Sequence, residues 1–184
     1  QGGVIYAGGT WNFSRNGSVR MDEQYAVDVF NTFYVDGKYK FAIEDGTSLT
    51  LGAQYYPQSS VGDAQIGAFS TWGAGVRADL AHGPFAVQLS YTQTGNGYDT
   101  QAPFGTHATY HTLMLADFNT AGEKAWGVRA DVDFAGLGAR GMTASAIYVA
   151  GSDRIDSAAG GVLPNRNETD VRADYSFGKG TILD

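Results

Sequence analysis

The sequence predicts an all-β protein, an antiparallel up-and-down β-barrel that crosses a membrane, with about nine strands present in the chain. Three observations favour this fold class. Apolar and polar residues alternate with a period of two along most of the 184 residues, as they do in a strand with different surroundings on its two faces. The alternating segments are mostly about 9–12 residues long, against a globular average of about 5–6. Short and long connections also alternate, which is typical of a membrane barrel.

The predicted strands follow from this alternation in chain order. Two segments, 3–12 and 18–29, alternate less cleanly than the others. The remaining seven each place an apolar face opposite a polar one. They are FYVDGKYKFAI (33–43), SLTLGAQYY (48–56), WGAGVRADL (72–80), FAVQLSYTQ (85–93), WGVRADVDF (126–134), MTASAIY (142–148) and DVRADYSF (170–177).

The connections between these strands fall into two groups. Tight turns are predicted at SRNG (14–17), EDGT (44–47), AHGP (81–84) and GLGARG (136–141), and one more lies near 29–32. Arg15-Asn16-Gly17 and Asp45-Gly46 are expected to supply the positive φ angles that hairpin turns need. Longer connections are predicted at 57–67, 95–124 and 152–167. One end of the sheet should therefore carry tight turns and the other end long loops.

Composition excludes several classes of function. The chain has no Cys, so it has no disulfide and no Cys-based metal site. Its net charge of −7 gives no basic footprint for nucleic acid. His107 and His111 are four residues apart, but nothing nearby completes a metal ligand set. No catalytic grouping or cofactor motif stands out, so we predict a protein that is not an enzyme and uses no metal or other cofactor.

Alternation alone does not decide which face is wet. In a soluble lipocalin-like barrel that binds a ligand, Trp72, Val128 and Phe134 would point inward; in a membrane barrel they would face lipid. Strand length, aromatic residues near strand ends and an Ala-rich outer face without charge in the clearest strands all favour the membrane. Such a face would contact outer-membrane lipid and lipopolysaccharide, or detergent after extraction.

The tetrapeptide Val-Arg-Ala-Asp occurs three times, each time within a predicted strand. Residues i and i+2 of a strand share a face about 6.6–7 Å apart, so each Arg has an Asp beside it on the polar face. These Arg residues could guide an anionic solute, because guanidinium groups suit carboxylates. They could equally be ion pairs that only brace the wall. The pairs are Arg77 with Asp79, Arg129 with Asp131, and Arg172 with Asp174.

The segment 117–156 resembles the OprD-type family of substrate-specific outer-membrane porins. The residues that carry the resemblance are Asp117-Phe118-Asn119, Gly122-Glu123, Trp126, Arg129, Asp131, the turn up to Gly141, and Tyr148 followed by GSDRID. NETDVRADYSFGKG looks like the next strand of that family. The segments FYVDGKYKF, TSLTLGAQYY and TWGAGVRADLAHGPFAVQLSYTQTGNGYDT keep its strand order upstream.

The resemblance implies a Gram-negative outer-membrane channel for small carboxylate solutes such as amino acids or aromatic acids. It implies a barrel of about eighteen strands with one pore per chain, assembled as a homotrimer in many members. Residues 1–184 would form a partial porin domain, roughly the second half of the barrel without its last strands. Basic residues on the lumen wall would guide the carboxylate, and inward-folded loops would narrow the passage.

The candidate site residues follow from the motif and from periodicity. The family motif assigns Arg129 to the lumen wall, and periodicity assigns Arg77 and Arg172 there. Lys38 and Lys40 share the polar face of their strand and extend the basic wall or merely solvate it. The loop 95–124 contributes candidates that contact solute or pack the loop itself, namely Tyr98, Asp99, His107 and Tyr110. A structural outer-membrane barrel, with its lumen closed by neutralised charges, is the remaining alternative.

Overall fold

The strands form one continuous antiparallel sheet in chain order. The computed structural model describes residues 3–102 and 109–177, and the nine strands within them are ordered β1 to β9, each paired with its sequence neighbours. This is the predicted up-and-down order, with β1 and β9 at the two edges of the described sheet. The strands are β1 Val4–Trp11, β2 Gly17–Ala26, β3 Phe30–Ala42, β4 Thr47–Ser60, β5 Ser70–His82, β6 Phe85–Thr94, β7 Lys124–Asp133, β8 Met142–Ser152 and β9 Arg166–Tyr175.

The strands are long enough to cross a bilayer. β3 and β5 have 13 residues each and β4 has 14. With a rise of about 3.3 Å per residue and a tilt of about 45°, 13 residues span roughly 30 Å of height, the thickness of a hydrocarbon core. Among the described residues, no helix has the length and apolar character that a membrane span requires.

The connections separate into a turn end and a loop end. The turn end carries the connections 12–16, 43–46, 83–84 and 134–141. The loop end carries 27–29, 61–69, 95–123 and 153–165. The predicted alternation is therefore confirmed. Two boundaries differ from the prediction: the extra tight turn lies at 27–29, and β4 continues through 57–60 before its loop begins.

Turn chemistry agrees with the sequence at one hairpin and departs from it at another. Asp45 and Gly46 have φ values of 58° and 73°, as predicted. The same prediction for residues 15–17 is wrong, since none of them has a positive φ. Gly17 is required there for space, because a Cβ would collide with the ring of Phe13.

Phe134 also differs from the prediction, because β7 ends at Asp133 and Phe134 begins a short 3₁₀ turn, Phe134–Leu137. The Asp133 carboxylate accepts the N–H of Ala135 at 2.9 Å and so caps this turn.

The apolar face of the sheet is exposed along its whole length. On β6, Phe85, Val87, Leu89 and Tyr91 are 51%, 44%, 57% and 41% exposed. An apolar surface of this extent requires lipid or a partner to cover it. Aromatic pairs mark both ends of this face, with Tyr55–Trp72 and Trp126–Tyr148 toward the loop end and Tyr39–Phe41 and Tyr175–Phe177 toward the turn end. This arrangement matches the two aromatic girdles of a membrane barrel.

Within residues 3–102 and 109–177, buried apolar side chains form two small clusters in place of a central core. One joins Ala26, Val29 and Phe30 to Phe69 of the loop 61–69. The other lies beneath the loop 95–123 and centres on Phe118, Ala125 and Val149, with Leu113, Ala116 and Ile147 packed against it. Both clusters lie at the loop end, so packing there fixes loops onto the wall and does not close an interior.

Candidate functional site

The polar face of the sheet carries four Arg-x-Asp ion pairs, one more than the sequence motif predicts. The additional pair comes from Val19-Arg20-Met21-Asp22, where Met replaces Ala in the repeated tetrapeptide. A search for Val-Arg-x-Asp would have found it. The N···O distances are 2.6 Å for Arg20–Asp22, 3.4 Å for Arg77–Asp79, 2.6 Å for Arg129–Asp131 and 2.7 Å for Arg172–Asp174.

These pairs differ in how many guanidinium donors they use. Nε and Nη2 of Arg129 donate to the Asp131 carboxylate at 2.6–2.9 Å. Arg172 makes two such hydrogen bonds with its own Asp, at 2.7 and 2.8 Å. Arg129 and Arg172 therefore each use two guanidinium nitrogens to bind their own aspartate.

Arg77 is held differently. The Asp79 carboxylate accepts a hydrogen bond from Gln88 instead. The Arg77 guanidinium lies over the Tyr110 ring, with its central carbon 4.8 Å from the ring centroid. Its Nε is buried without a hydrogen-bond partner in the described structure. Of the four arginines, Arg77 is the one least committed to its own aspartate.

Strand register places positive and negative side chains alternately across the wall. Arg129 lies opposite Gln88, which lies opposite Asp79 on the next strand. In the same way Arg172 lies opposite Ser145, and Ser145 lies opposite Asp131. Arg129 and Arg172 are therefore each level with the aspartate of the preceding pair. The charges form an oblique band across β5 to β9.

The four arginines border a single cavity between the wall and the loop 95–123. Its volume is about 640 Å³. The loop closes the opposite side with Thr109, Tyr110, Thr112, Leu113 and Met114. Asp36 and Asp170 also border the cavity, and both carboxylates accept hydrogen bonds from the loop. Guanidinium, hydroxyl and apolar groups around one space could receive a small anion that carries an apolar body.

The loop covers the polar face of the sheet by binding strands far apart in the barrel wall. The Tyr110 hydroxyl donates to Asp36 on β3 at 2.8 Å. The backbone N–H groups of Met114 and Leu115 donate to Asp170 and Glu168 on β9, at 3.1 and 2.8 Å. A soluble barrel would need the opposite, apolar, face to be the enclosed one.

His111 anchors the middle of the loop. Its side chain is fully buried, and its ring nitrogens lie 2.8 Å from the hydroxyls of Ser90 and Thr92 on β6. Burial lowers the pKa of His111 to about 4, although the nearby Glu123 carboxylate acts in the opposite direction. Burial, together with the hydrogen bond to Asp36, raises the pKa of Tyr110. Both side chains are therefore neutral where they contact the wall near pH 7.

The C-terminal base of the loop is held by a buried carboxylate. Glu123 accepts two hydrogen bonds from Arg166 of β9, at 2.8 and 2.7 Å. It also accepts the N–H of Thr120 at 3.0 Å. The Arg166 guanidinium lies over the Phe118 ring, 4.7 Å from its centroid. Because a buried ion pair is costly to break, this contact fixes where the loop rejoins the wall.

The predicted loop candidates occupy different surroundings. Tyr110 borders the cavity and contacts Arg77. The Tyr98 carbonyl accepts a hydrogen bond from Thr71 at 2.6 Å, and the Asp99 carboxylate accepts the N–H of Ala121 at 2.7 Å. These two contacts hold the loop in place. His107 lies outside the described residues.

Lys38 and Lys40 lie nearer the turn end, in a second groove of about 280 Å³ that also contains Arg15. This groove shares none of its lining residues with the arginine cavity.

No set of three potential metal ligands comes together in the described ranges 3–102 and 109–177. Both nitrogens of His111 are occupied by hydroxyl groups.

A long-stranded antiparallel meander, apolar outside and polar within, with a loop folded onto its polar wall, defines an outer-membrane porin. The sequence model of the outer membrane porins of the OprD family matches residues 2–184. This chain therefore belongs to the OprD family, whose members lie in the outer membrane of Gram-negative bacteria.

Similar proteins of Pseudomonas aeruginosa agree with this assignment. Porin D is 24% identical over 159 residues, covering 80% of this chain and 36% of that protein. OpdL has a TM-score of 0.88 at 23% identity, covering 97% of this chain and 50% of its own. OpdK, in a structure with vanillate, has a TM-score of 0.87 at 23% identity, covering 97% of this chain and 47% of its own. The structural likeness establishes the fold, and the chain spans half or less of each relative's length.

Proposed function

We propose that this protein forms part of a channel for small carboxylate-bearing solutes. The observation that carries the proposal is the single cavity bordered by Arg20, Arg77, Arg129 and Arg172 beneath the inward loop. Guanidinium groups pair with carboxylates through two parallel hydrogen bonds. Because each arginine has an aspartate beside it, attraction of an anion depends on guanidinium donors that the aspartate leaves open.

Arg77 is the arginine best placed to hold the carboxylate in passing. Arg129 and Arg172 already donate to their own aspartates through two nitrogens each. Arg77 is 3.4 Å from its aspartate, and Gln88 competes for that carboxylate. A solute at Arg77 would therefore displace little of the existing hydrogen bonding. The apolar part of the solute would lie against Leu113 and Met114 of the loop.

The relatives support a carboxylate solute only by analogy, since OpdK was solved with vanillate. The neutralised pairs favour the second candidate function, a structural barrel without transport. In that case the Arg-x-Asp pairs would brace the wall and select nothing. The two functions make opposite predictions for Arg77.

The test uses the full-length protein in a planar bilayer. We expect benzoate to interrupt the current of single channels, and benzamide, its neutral amide counterpart, to have no such effect. Arg77→Gln should remove most of the benzoate effect. Arg140→Gln is the matched control, because Arg140 lies in the exposed turn 134–141, away from the cavity lining. Equal responses to the two compounds, or an unchanged Arg77→Gln channel, would favour the structural barrel.

A further inference from the structure

The loop rests against the wall next to the arginines, and on three strands the same position touches it. That position is two residues before the arginine. On β5 it is Gly75, on β7 it is Gly127, and on β9 it is Asp170. Asp170 accepts the N–H of Met114 at 3.1 Å. The two glycines meet the loop in a different way, by leaving room for it.

Gly127 allows His111 to reach the wall. A Cβ at residue 127 would lie 2.7 Å from His111 Nε2 and 3.0 Å from Ser90 Oγ. Carbon contacts need about 3.5–4.0 Å, so an alanine here would have to displace the imidazole by roughly an ångström. That displacement would break the hydrogen bond between His111 and Ser90, which is 2.8 Å long.

Gly75 leaves room for Tyr110 in the same manner, although an added Cβ would overlap the loop less than at Gly127. A Cβ at residue 75 would lie 3.1 Å from Tyr110 Cδ2, and equally close to Gln54 and Thr92. Gly75 and Gly127 have no positive φ. Their backbone conformations therefore do not require glycine. Glycine is required at these positions because the loop approaches so closely.

A short segment of the loop links anchors on strands that are far apart in the wall. Asp36 is on β3 and Asp170 is on β9, six strands apart in the sheet order. Neighbouring strands are about 4.8 Å apart, so these anchors are separated by roughly 29 Å along the wall. Tyr110 and Met114 are only four residues apart in the chain, which spans at most about 14 Å. The short strap of 110–114 therefore has to lie across the inside of the curved wall.

We propose that Gly75 and Gly127 are positioning residues of the channel: they let Tyr110 and His111 lie directly against the wall, and so set the depth of the loop and the width of the passage beside the arginines. This inference rests on the proposed function where it concerns the passage. The seating of the loop can be tested without any current. Asp170 provides the corresponding contact on β9.

The first experiment measures loop seating in the folded, membrane-inserted full-length protein. Chymotrypsin cleavage within 109–123 is compared for the wild type and for Gly127→Ala, His111→Ala and the double variant. Gly9→Ala is the control, since a Cβ on this strand glycine meets nothing within 4 Å. We expect Gly127→Ala and His111→Ala each to speed cleavage by about tenfold, the effect of losing a buried hydrogen bond.

The double variant distinguishes positioning from general damage. If Gly127 acts by seating His111, removing the imidazole removes the one contact that would be shorter than 3.0 Å. The double variant should then be cleaved no faster than His111→Ala. Multiplied effects in the double variant, or Gly127→Ala behaving like Gly9→Ala, would overturn the proposal. If the Gly127→Ala barrel does not assemble, Gly75→Ala takes its place; it should also speed cleavage, and Gly75→Ala behaving like Gly9→Ala would overturn the proposal.

Bilayer currents then test the passage. We expect Gly127→Ala to change the open-channel conductance by roughly twofold and to weaken the discrimination of benzoate from benzamide. Faster cleavage with wild-type currents would overturn the role of these glycines in the passage. Faster cleavage in a protein whose wild type ignores carboxylates would support the seating and contradict the proposed function.

Discussion

We expect the docking of the loop 95–123, meaning its packing against the polar face of the sheet, to depend on pH because of His111. Docking of the loop buries the imidazole between the hydroxyls of Ser90 and Thr92. The Phe118 ring is steeply tilted to the imidazole, with 6.3 Å between the ring centroids, and Glu123 is the charged neighbour. The pKa of His111 falls from 6.5 in the undocked state to about 4 in the docked state. The undocked loop therefore binds a proton first, and acidification favours it.

The magnitude follows from linkage. Above pH 6.5 neither state is protonated, and docking keeps its full stability. Between pH 6.5 and about 4, docking loses about 1.4 kcal/mol for each pH unit, because only the undocked imidazole takes up a proton. At about pH 4.5 the loss approaches 3 kcal/mol, a shift of roughly a hundredfold toward the undocked loop. Below about pH 4 the loss levels off.

Hydrogen exchange measures this equilibrium directly. The amides of Leu113 and Leu115 are hydrogen-bonded at 3.0 and 2.8 Å in the docked loop. Their protection should fall on going from about pH 7 to about pH 4.5 by more than the change in intrinsic exchange. His111→Gln, which cannot titrate, should abolish the additional loss. Equal behaviour of the two proteins, or an imidazole that titrates by NMR near 6.5, would refute the reasoning.

Two further predictions concern the base of the loop and the orientation of the wall. Glu123→Ala leaves the half-buried Arg166 without its carboxylate and should lower the free energy of unfolding in urea by about 2–3 kcal/mol, less than the loss for a fully buried pair. Asp174→Ala, at an exposed ion pair, should cost much less. Similar losses for the two variants would contradict the role of Glu123. Leu89→Lys places a charge on the lipid face and should cost about 2–4 kcal/mol near the membrane midplane. Gln88→Lys, one residue away on the lumen face, should insert and fold with little loss of stability. A larger loss for Gln88→Lys than for Leu89→Lys would mean that the two faces are assigned the wrong way round.

The sheet could be predicted from the sequence because its determinants are local. Alternation with a period of two assigns the face of each residue, and the i, i+2 spacing brings Arg129 beside Asp131 without knowledge of the fold. Boundaries were less predictable at turns. The sequence Arg15-Asn16-Gly17 suggests that Gly17 adopts a positive φ angle, but its role is to make room for the Phe13 ring.

The path of the loop could not be predicted, because it depends on contacts between distant residues. Tyr110 and Asp36 are 74 positions apart, and Glu123 and Arg166 are 43 apart. No periodicity connects such residues. The roles of Gly75 and Gly127 could not be predicted for a related reason. Gly127 looks like an ordinary strand residue until His111 is known to lie against it. A glycine repeated two positions before Arg77 and Arg129 was the only available signal.

The structure also separates four arginines that look alike in the sequence. Arg129 and Arg172 are tied to their own aspartates by two nitrogens each. Arg77 loses its aspartate in part to Gln88 and lies over the Tyr110 ring. The same tetrapeptide therefore gives arginines with different partners, and the neighbouring strand and the loop decide which partners each arginine has.

The measurement that tests the central claim most directly is the reversal potential across a gradient of sodium benzoate, with the full-length protein in a planar bilayer. A channel that favours carboxylates should give a potential whose sign shows benzoate crossing more readily than sodium, and Arg77→Gln should shift that potential toward zero. A wild-type channel that prefers sodium, or a potential unchanged by Arg77→Gln, would contradict that claim.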